Sequence, residues 1–247
     1  MNFKAIIQAR MTSSRLPGKV LMQACGKPFL EHQIQRLRKA SLLDDVIVAT
    51  TSNIQDEPIV QLCERLNVPY YCGDEYDVLK RVLDCANRNN VDVIVEITGD
   101  CPLIDPGLVD KLIQTYKNST FDYVSNVVNR TFPRGLDTQI FSTKVLRKVD
   151  TLTQHPMDRE HVSIYIYNHP DIFSIHGIEA KKNEAHPEYR WTLDTKEDFE
   201  FIKILFEKVY PIKTDFTYLD VYELLANEPA LLAINSHIPQ KSAKYYE

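Results

Sequence analysis

Residues 8–19 bring three cations together with hydroxyl groups inside one short stretch. Arg10, Arg15 and Lys19 are separated by Thr and Ser residues and a Pro-Gly turn, and an apolar run precedes them. The first 30 residues carry five Lys or Arg and no Asp or Glu, whereas the other 217 carry 24 basic and 34 acidic residues. A local positive field in an acidic chain favours a small polyanionic ligand over nucleic acid, because duplex binding needs an extended basic face. The pattern predicts a phosphate-binding loop; the alternative is a solvated surface loop.

Two aspartates are suited to hold a divalent cation beside such a loop. Asp100 and Asp194 each directly follow an apolar segment that is typical of a buried strand. Mg²⁺ prefers hard oxygen ligands, commonly one or two carboxylates together with substrate phosphates. The carboxyl ends of strands in a parallel sheet open onto its ligand-binding edge, so both residues are candidate metal ligands. For Asp194 a second interpretation stays open, because Thr195–Asp198 resembles a helix capping box.

Alternating segments must position these residues. The 247-residue chain, 44% hydrophobic and 26% charged, is long enough to bury a sizeable core. Apolar runs typical of buried strands alternate with amphipathic helical patterns in the first part of the chain. Strands are predicted at 3–7, 45–51, 68–72 and 92–98, and helices at 28–38, 54–66, 77–89 and 105–116. This alternation predicts an α/β fold with a mostly parallel twisted sheet and helices on both faces.

The pattern changes after residue 121. Further strands are predicted at 122–126, 138–141, 172–176 and 189–193, with helices from 142, over 162–167, after 194 and over 218–225. A polar loop at 129–137 interrupts the alternation, so Arg130 and Arg134 are candidates to bind an anionic acceptor; the alternative is a mobile solvated loop. The tail Ser236–Glu247 is expected to be poorly ordered. We expect one domain over 1–247, with a nucleotide-binding half at about 1–120 and an acceptor and dimerisation part at about 121–235.

Several protein classes lack support in the sequence. Without G-x-x-x-x-G-K-[ST] or G-x-G-x-x-G, a kinase or a dehydrogenase is disfavoured, and G-x-S-x-G and H-E-x-x-H are also absent. The five cysteines form no C-x-x-C pair, which predicts reduced residues rather than disulfides or a zinc site.

The longest apolar stretches fall far short of the roughly 20 residues of a membrane-spanning helix, and no cleavable signal pattern is seen, so we expect a cytoplasmic protein. Among the histidines only His161, next to Arg159 and Glu160, lies in a charged cluster; the alternative is a helix-surface or satisfied core histidine.

The motifs resemble a known family. The run Ala9-Arg10, then Ser14–Lys19 and Gly26–Pro28, is similar to the signature of cytidylyltransferases that activate acidic sugars, such as 3-deoxy-manno-octulosonate cytidylyltransferase. The resemblance is closer to the spore coat polysaccharide biosynthesis protein F family and extends along nearly the whole chain. The later matching segments are Gly99–Asp105, Gly135–Asp137, Arg159–Val162, Leu193–Thr195 and Glu197–Phe199. Val20 stands where the octulosonate enzymes usually have Pro, and the later acceptor-binding segments differ from theirs, so the acceptor stays open.

The resemblance implies a nucleotidyltransferase fold related to glycosyltransferase A and Rossmann-like, with CTP as substrate and Mg²⁺ as cofactor. Arg10, Arg15 and Lys19 would be the catalytic residues that hold the triphosphate. The implied nucleotide-binding residues are Ala9, Arg10, Ser14, Arg15, Lys19, Gly73 and Asp100, and the implied metal ligands are Asp100 and Asp194. The implied acceptor-binding residues are Arg130, Arg134, Asp137, Arg159 and His161.

The sequence thus predicts transfer of CMP from CTP to an acidic sugar or a phosphorylated acceptor, with release of pyrophosphate, in surface polysaccharide or glycan biosynthesis. One alternative is a glycosyltransferase that uses a sugar nucleotide, although Asp100-Cys101-Pro102 is not the usual D-x-D metal motif. Another is a non-catalytic nucleotide-binding module. We also expect a homodimer, because the related sugar-activating enzymes are typically dimers and interfaces favour Tyr, of which the chain has 13.

Overall fold

The computed structural model describes residues 1–240 of the chain; residues 241–247, the end of the predicted poorly ordered tail, lie outside the described residues. The strands are β1 Phe3–Gln8, β2 Gln23–Ala24, β3 Lys27–Pro28, β4 Asp45–Thr51, β5 Tyr70–Gly73, β6 Val93–Thr98, β7 Tyr123–Ser125, β8 Gln139–Ser142 and β9 Ile175–Gly177. The α-helices are α1 Phe29–Leu37, α2 Glu57–Arg65, α3 Val78–Arg88, α4 Pro106–Lys117, α5 Thr143–Leu152, α6 Pro156–His161, α7 Ile164–Asn168, α8 Lys196–Val209 and α9 Tyr218–Asn227. Short 3-10 helices lie at Lys19–Leu21, Ile54–Asp56, Lys182–Glu184 and Pro229–Ile234.

The main sheet has seven strands in the order β5-β4-β1-β6-β8-β7-β9. Of these, β8 runs antiparallel to both of its neighbours, and the other strand pairs are parallel. In the centre of the sheet, Ile6 of β1 lies opposite Ile47 of β4 and Glu96 of β6. Strands from both predicted parts of the chain lie in this one sheet. The predicted mostly parallel α/β sheet is confirmed.

Alternation along the strands creates a core on each face of the sheet. In β1, Ala5 and Ile7 pack on one face with α1, α2, α4, α8 and α9. Ile6 points to the opposite face, where α3, α5 and the end of α7 pack. Burying one such aliphatic side chain stabilises the fold by roughly 1.5–3 kcal/mol, so a shift of the strand by one residue would be costly. The two cores therefore hold the strand ends, and the loops that follow them, in a defined register.

Side-chain caps begin α3 and α4, the helices that follow β5 and β6. Asp77 accepts a hydrogen bond from the Lys80 amide at the start of α3. Asp105 accepts one from the Leu108 amide at the start of α4, where Pro106 occupies the first turn. Each cap satisfies an amide that the helix leaves without a partner. Within residues 1–240, no helix combines the length and the apolarity that crossing a bilayer needs.

The structure corrects two predicted elements. The predicted strand at 189–193 forms only a single bridge, between Arg134 and Arg190. The Trp191 amide donates to the Arg134 carbonyl at 2.7 Å, and the Leu193 amide donates to the Asp100 carbonyl at 2.9 Å. Trp191 and Leu193 are buried, which accounts for the alternating apolar pattern, but the backbone bonds to two different loops instead of one strand.

The second correction concerns residues 156–168. The predicted helix over 162–167 starts two residues later, as α7, and is separated from α6 by Val162 and Ser163. Val162 has φ of +50°, a left-handed conformation that a β-branched residue rarely adopts. Because its side chain is fully buried in the core, packing outweighs this local backbone cost.

Candidate active site

A cleft of about 570 Å³ opens where β1 and β6 end. This is the carboxyl edge of the parallel strands, where open α/β sheets bind ligands. The predicted site residues that line it are Ala9, Arg10, Ser14, Arg15, Lys19, Asp100, His161 and Asp194. They come from four separate parts of the chain, so folding brings them together. Gly73, Arg130, Arg134, Asp137 and Arg159 are not among the lining residues.

The loop after β1 is anchored at both ends. The Met11 amide donates to Asp56 Oδ1 at 2.7 Å, and the Gly18 amide donates to the Met11 carbonyl at 2.8 Å. Gly18 has φ of +72°, which glycine adopts without the steric cost that other residues incur. The 3-10 helix that begins at Lys19 follows directly, with Val20 buried beneath it. Lys19 therefore projects into the cleft from a fixed position.

Lys19 lies between the two predicted metal ligands. Its Nζ is 2.8 Å from Asp194 Oδ1 and 3.5 Å from Asp100 Oδ2. Burial acts to lower the pKa of Lys19, but the two carboxylates outweigh this effect and raise the pKa above its usual value. Arg15 Nη2 also lies 2.9 Å from Asp194 Oδ1. Two of the three predicted phosphate-binding cations, Arg15 and Lys19, thus form one continuous cluster with the predicted metal ligands.

The structure contradicts the helix-cap interpretation of Asp194. Thr195 is the N-cap of α8, and Thr195 and Asp198 form the capping box. The Asp194 and Thr195 amides both donate to Asp198 Oδ2, at 3.1 and 3.0 Å. Arg190 pairs with Asp198 at 2.7 Å and reaches Asp194 Oδ2 at 3.4 Å. Because Thr195 and Asp198 cap α8, the Asp194 carboxylate is left to face the cations of the cleft.

At the other end of the cleft, Arg10 contacts a carboxylate that the sequence analysis missed. Arg10 Nη1 lies 3.4 Å from Glu75 Oε1, which also accepts a hydrogen bond from Thr12 at 2.5 Å. Asn53 Nδ2 donates to Glu75 Oε2 at 2.6 Å. The hydrogen bond from Thr12 is the main cause of a lowered pKa of Glu75. The position of Glu75 after a predicted strand end was the signal that could have identified it.

The predicted acceptor residues divide into two groups. Arg130 and Asp137 form a bidentate pair, with Nη1–Oδ1 and Nη2–Oδ2 distances of 2.7 and 2.8 Å. Burial raises the pKa of the Cys101 thiol, and the charges of Asp100 and Asp137 raise it further. The Arg134 and Asp100 carbonyls accept hydrogen bonds from the Trp191 and Leu193 amides, so the segment 129–137 lies next to the turn that carries Asp100. Arg134 is half-buried, and its backbone bridges to Arg190.

The second group lies on α6. Arg159 is 9% exposed and donates to both carboxylate oxygens of Asp77, at 2.9 and 2.6 Å, and to Asp150 at 2.7 Å. These bonds tie α6 to the start of α3 and to α5. His161 and Glu160 are exposed and line the cleft from this anchored helix. Arg159 thus contacts protein carboxylates on both sides, whereas His161 is open to a ligand.

A buried acid lies beneath the floor of the cleft. Gln8, which lines the cleft, donates from Nε2 to Glu96 Oε1 at 2.7 Å. Glu96 is 2% exposed, and its Oε2 has no hydrogen-bond partner within the described part of the chain. Burial raises the pKa of Glu96 to about 7, although hydrogen bonding opposes the shift. Glu96 was not predicted as a site residue, because it lies inside an apolar run that indicates a buried strand.

The donor set fits a hard divalent cation only together with ligand atoms. Residues 1–240 contain no group of three or more His, Cys, Asp or Glu side chains that could hold a metal ion. Asp100 and Asp194 supply two carboxylates on either side of Lys19. A cation that uses one or two carboxylates alongside substrate phosphates would match this pair. The residues present therefore fit Mg²⁺, with the remaining ligands left to phosphate oxygens and water.

The fold and the cleft define an α/β protein of the nucleotidyltransferase class. A family model described as Cytidylyltransferase matches residues 4–224, and the chain belongs to this family. The spore coat polysaccharide biosynthesis protein SpsF of Bacillus subtilis is 32% identical over 231 residues, which cover 91% of this chain and 94% of that protein. The resemblance and the fold predicted from the motifs are confirmed.

Solved structures give the same result. A cytidylyltransferase from Leptospira borgpetersenii matches with a TM-score of 0.90 and 30% identity, and the match covers 97% of this chain and 100% of that chain. The structure of CMP:2-keto-3-deoxy-manno-octonic acid synthetase complexed with CTP matches with a TM-score of 0.65, over 84% of this chain and 99% of that chain. At 19% identity, the second match establishes the fold alone. The roles of individual site residues stay predictions.

Proposed function

We propose that this chain transfers CMP from CTP to a small anionic acceptor, an acidic sugar or a phosphorylated molecule, and releases pyrophosphate. The observation that carries the proposal is the cluster of Lys19, Arg15, Asp100 and Asp194 in one cleft at the sheet edge. The synthetase of similar fold that is described as complexed with CTP adds support for this nucleotide. Similarity to SpsF supports a role in surface polysaccharide or glycan biosynthesis. The cytoplasmic location and the homodimer stay predictions.

In the proposed reaction, an acceptor oxygen attacks the α-phosphorus of CTP in line. A bond from that oxygen to phosphorus forms while the bond from the α-phosphorus to the bridging oxygen of pyrophosphate breaks. Lys19 and Arg15 would leave Asp194 to bind the phosphate oxygens, together with Arg10. Catalysis of this kind rests on positioning and on neutralisation of the negative charge that builds up in the transition state. Three cations held by an anchored loop are suited to both tasks.

Asp100 and Asp194 would hold the divalent cation, which we propose to be Mg²⁺. When bound, such an ion neutralises charge on the phosphates and helps to orient them. In the free protein the two carboxylates are balanced by Lys19, Arg15 and Arg190. The cation and the nucleotide should therefore bind together, because the phosphates draw Lys19 and Arg15 away from the carboxylates that the metal needs.

We place the binding site for the acceptor between the cleft and the segment 129–137. The segment 129–137 and the Asp100 turn both bond to the backbone of 191–193, and His161 and Glu160 face the cleft from α6. We assign Arg134 and His161 to direct contact with the acceptor, and Arg130 with Asp137 to shaping its site. Arg159 would act through the position of α6, because its guanidinium already binds Asp77 and Asp150.

The test is pyrophosphate release from each nucleoside triphosphate, measured with Mg²⁺ and a panel of acidic sugars and phosphorylated acceptors. We expect release with CTP and an anionic acceptor, and none with neutral acceptors. The Lys19→Ala variant should lose most of this activity, whereas Lys203→Ala, which removes a half-exposed lysine on the outer face of α8, should not. A folded protein that releases no pyrophosphate with any triphosphate and acceptor of the panel, and that does not bind CTP, would refute the proposal.

A further inference from the structure

Arg81 forms part of the cleft wall and has hydrogen-bonding capacity that the protein leaves unused. It lies on α3, lines the cleft and is only 3% exposed. Its Nη1 donates to the backbone carbonyls of Asp74 and Glu75. Its Nε is buried and has no hydrogen-bond partner within residues 1–240, and both side-chain hydrogen bonds that Arg81 makes within these residues leave from Nη1. A guanidinium has five N–H donors, so most of them remain available.

The charge of Arg81 is also incompletely paired. Among residues 1–240, no carboxylate lies within ion-pair distance of it, although Asp56, Asp74 and Glu75 are close enough to influence it. Burial lowers the pKa of Arg81, and the charge of Arg10 lowers it further. Leaving buried donors unsatisfied costs free energy, more so for a charged group. A ligand acceptor that enters the cleft would relieve that cost.

The surroundings of Arg81 favour a neutral acceptor over a phosphate. Its carboxylate neighbours would repel a polyphosphate, whereas a carbonyl oxygen carries no net charge. Val78 and Ala9 add apolar surface to the same cleft. Of the predicted phosphate-binding cations, Arg15 and Lys19 cluster around Asp194, and Arg10, which is the one beside Arg81, is paired with Glu75 at 3.4 Å. A flat ring with a carbonyl oxygen therefore suits the Arg81 region better than an anion.

Gly73 fixes how closely Arg81 approaches β5. A Cβ atom at this position would lie 2.9 Å from Arg81 Cγ and 2.9 Å from a ring carbon of Tyr71. Such distances are too short for real carbon contacts, so any side chain here would push the stem of Arg81 away. Gly73 does not line the cleft, and its predicted part in nucleotide binding would thus act through Arg81.

We propose that Arg81 binds the ring carbonyl of the pyrimidine base of the nucleotide, and that Gly73 is the positioning residue for this contact. The inference rests on the proposed function, in which the cleft binds CTP. Cytosine has a carbonyl at position 2 and adenine has none, so Arg81 would contribute to the choice of CTP over ATP. A site whose buried polar donors depend on a partner strongly rejects an analogue that lacks it.

The test compares the binding of CTP, ATP and inorganic tripolyphosphate to the full chain by calorimetry, with Mg²⁺ present throughout. Arg81→Lys and Arg81→Gln should weaken CTP binding about ten- to hundredfold, the loss expected for a hydrogen bond to a charged group, and leave tripolyphosphate binding unchanged. The preference for CTP over ATP should shrink by the same factor. Gly73→Ala should give the same pattern at smaller size, and it serves as the test if the Arg81 variants do not fold.

Two outcomes would overturn the inference. Equal losses for CTP and tripolyphosphate would make Arg81 a phosphate-binding residue, and unchanged CTP binding in the Arg81 variants would remove it from the nucleotide site. Unchanged binding in Gly73→Ala would overturn the positioning role. Failure of the proposed function is a separate result, because the unsubstituted protein would then fail to bind CTP.

Discussion

The loop after β1 and the segment 129–137 both carry arginines, but the carboxylates that neutralise these arginines lie at different distances along the chain. Lys19 and Arg15 contact Asp194, which lies 175 positions after Lys19 in the chain. Arg130 pairs with Asp137, only seven positions away, in a bidentate geometry. A phosphate can draw the first set of cations away from a shared carboxylate, whereas the second pair is already complete. We infer that the first region binds and activates, and that the second mainly shapes the acceptor site.

The largest effect is expected at the shared carboxylates of the first region. Asp194→Asn and Asp100→Asn should each reduce Mg²⁺-dependent pyrophosphate release from CTP by at least about a hundredfold, because the amide keeps the shape but loses the charge that a cation needs. Asn caps helices about as well as Asp, and Thr195 with Asp198 caps α8 in any case, so the fold should persist. Thermal unfolding followed by circular dichroism provides the control. If Asp194→Asn kept full activity, Asp194 would be withdrawn as a metal ligand and Asp100 would be kept.

The next effect concerns the cations of the same region. Lys19→Ala or Arg15→Ala should weaken CTP binding or turnover about ten- to a hundredfold, since a charge-assisted hydrogen bond contributes roughly 1.5–3 kcal/mol. Steady-state kinetics with varied CTP measures the change, with Lys203→Ala as the matched control. Normal kinetics in both variants would remove the distinction between the two regions, because neither set of cations would then serve the nucleotide.

A smaller effect, confined to one substrate, is expected in the second region. Arg134→Ala should raise the KM for the acceptor about three- to tenfold and leave the KM for CTP unchanged, as expected for a partly exposed charged contact that is screened by water. The measurement is a kinetic matrix in which both substrates are varied. A change in the KM for CTP alone would place Arg134 with the nucleotide and contradict the proposed division.

The last expected effect is on stability and not on activity, at the boundary between the regions. Glu96, beneath Gln8, lies opposite Gln139 of β8 and has a pKa raised by burial to about 7. The other titratable groups that face it, Tyr123 and Tyr167, also have raised pKa values and stay neutral below pH 9. Because the folded state holds the proton of Glu96 more tightly than the unfolded state, its contribution to stability is complete below about pH 4.5 and is lost as pH rises through 7.

Gln cannot ionise, so the Glu96→Gln variant should not lose this contribution to stability as the pH rises. At pH 8 the variant should be more stable than the unsubstituted protein by on the order of 1–3 kcal/mol, and at pH 4 the two should be nearly equal. Denaturant unfolding at a series of pH values measures the difference. An identical pH dependence in both proteins would mean that Glu96 is ionised in the fold without a penalty.

The sequence predicted those features of the fold and the site whose pattern lies within a few neighbouring residues. The phosphate-binding loop is contiguous, so its three cations, its turn and the strand before it were visible together. Asp100 and Asp194 were found separately because each follows an apolar run. Glu75 and Arg81 were missed, since their value depends on α3 and the end of β5 lying beside the loop after β1. The predicted strand at 189–193 was wrong for a related reason, because alternating burial does not reveal which backbone is the partner.

The sequence by itself determined the alternation of main-sheet strands and helices over the first 120 residues, the α/β class and the cationic loop, because hydrophobic periodicity and turn residues act over a few positions. Only the tertiary structure decided that Lys19 stands between Asp100 and Asp194, that Thr195 rather than Asp194 caps α8, and that Arg81 faces the cleft with unused donors. These facts depend on how the helices pack on the two faces of the sheet. Packing joins residues that are far apart in the chain, and no local pattern records which of them will meet.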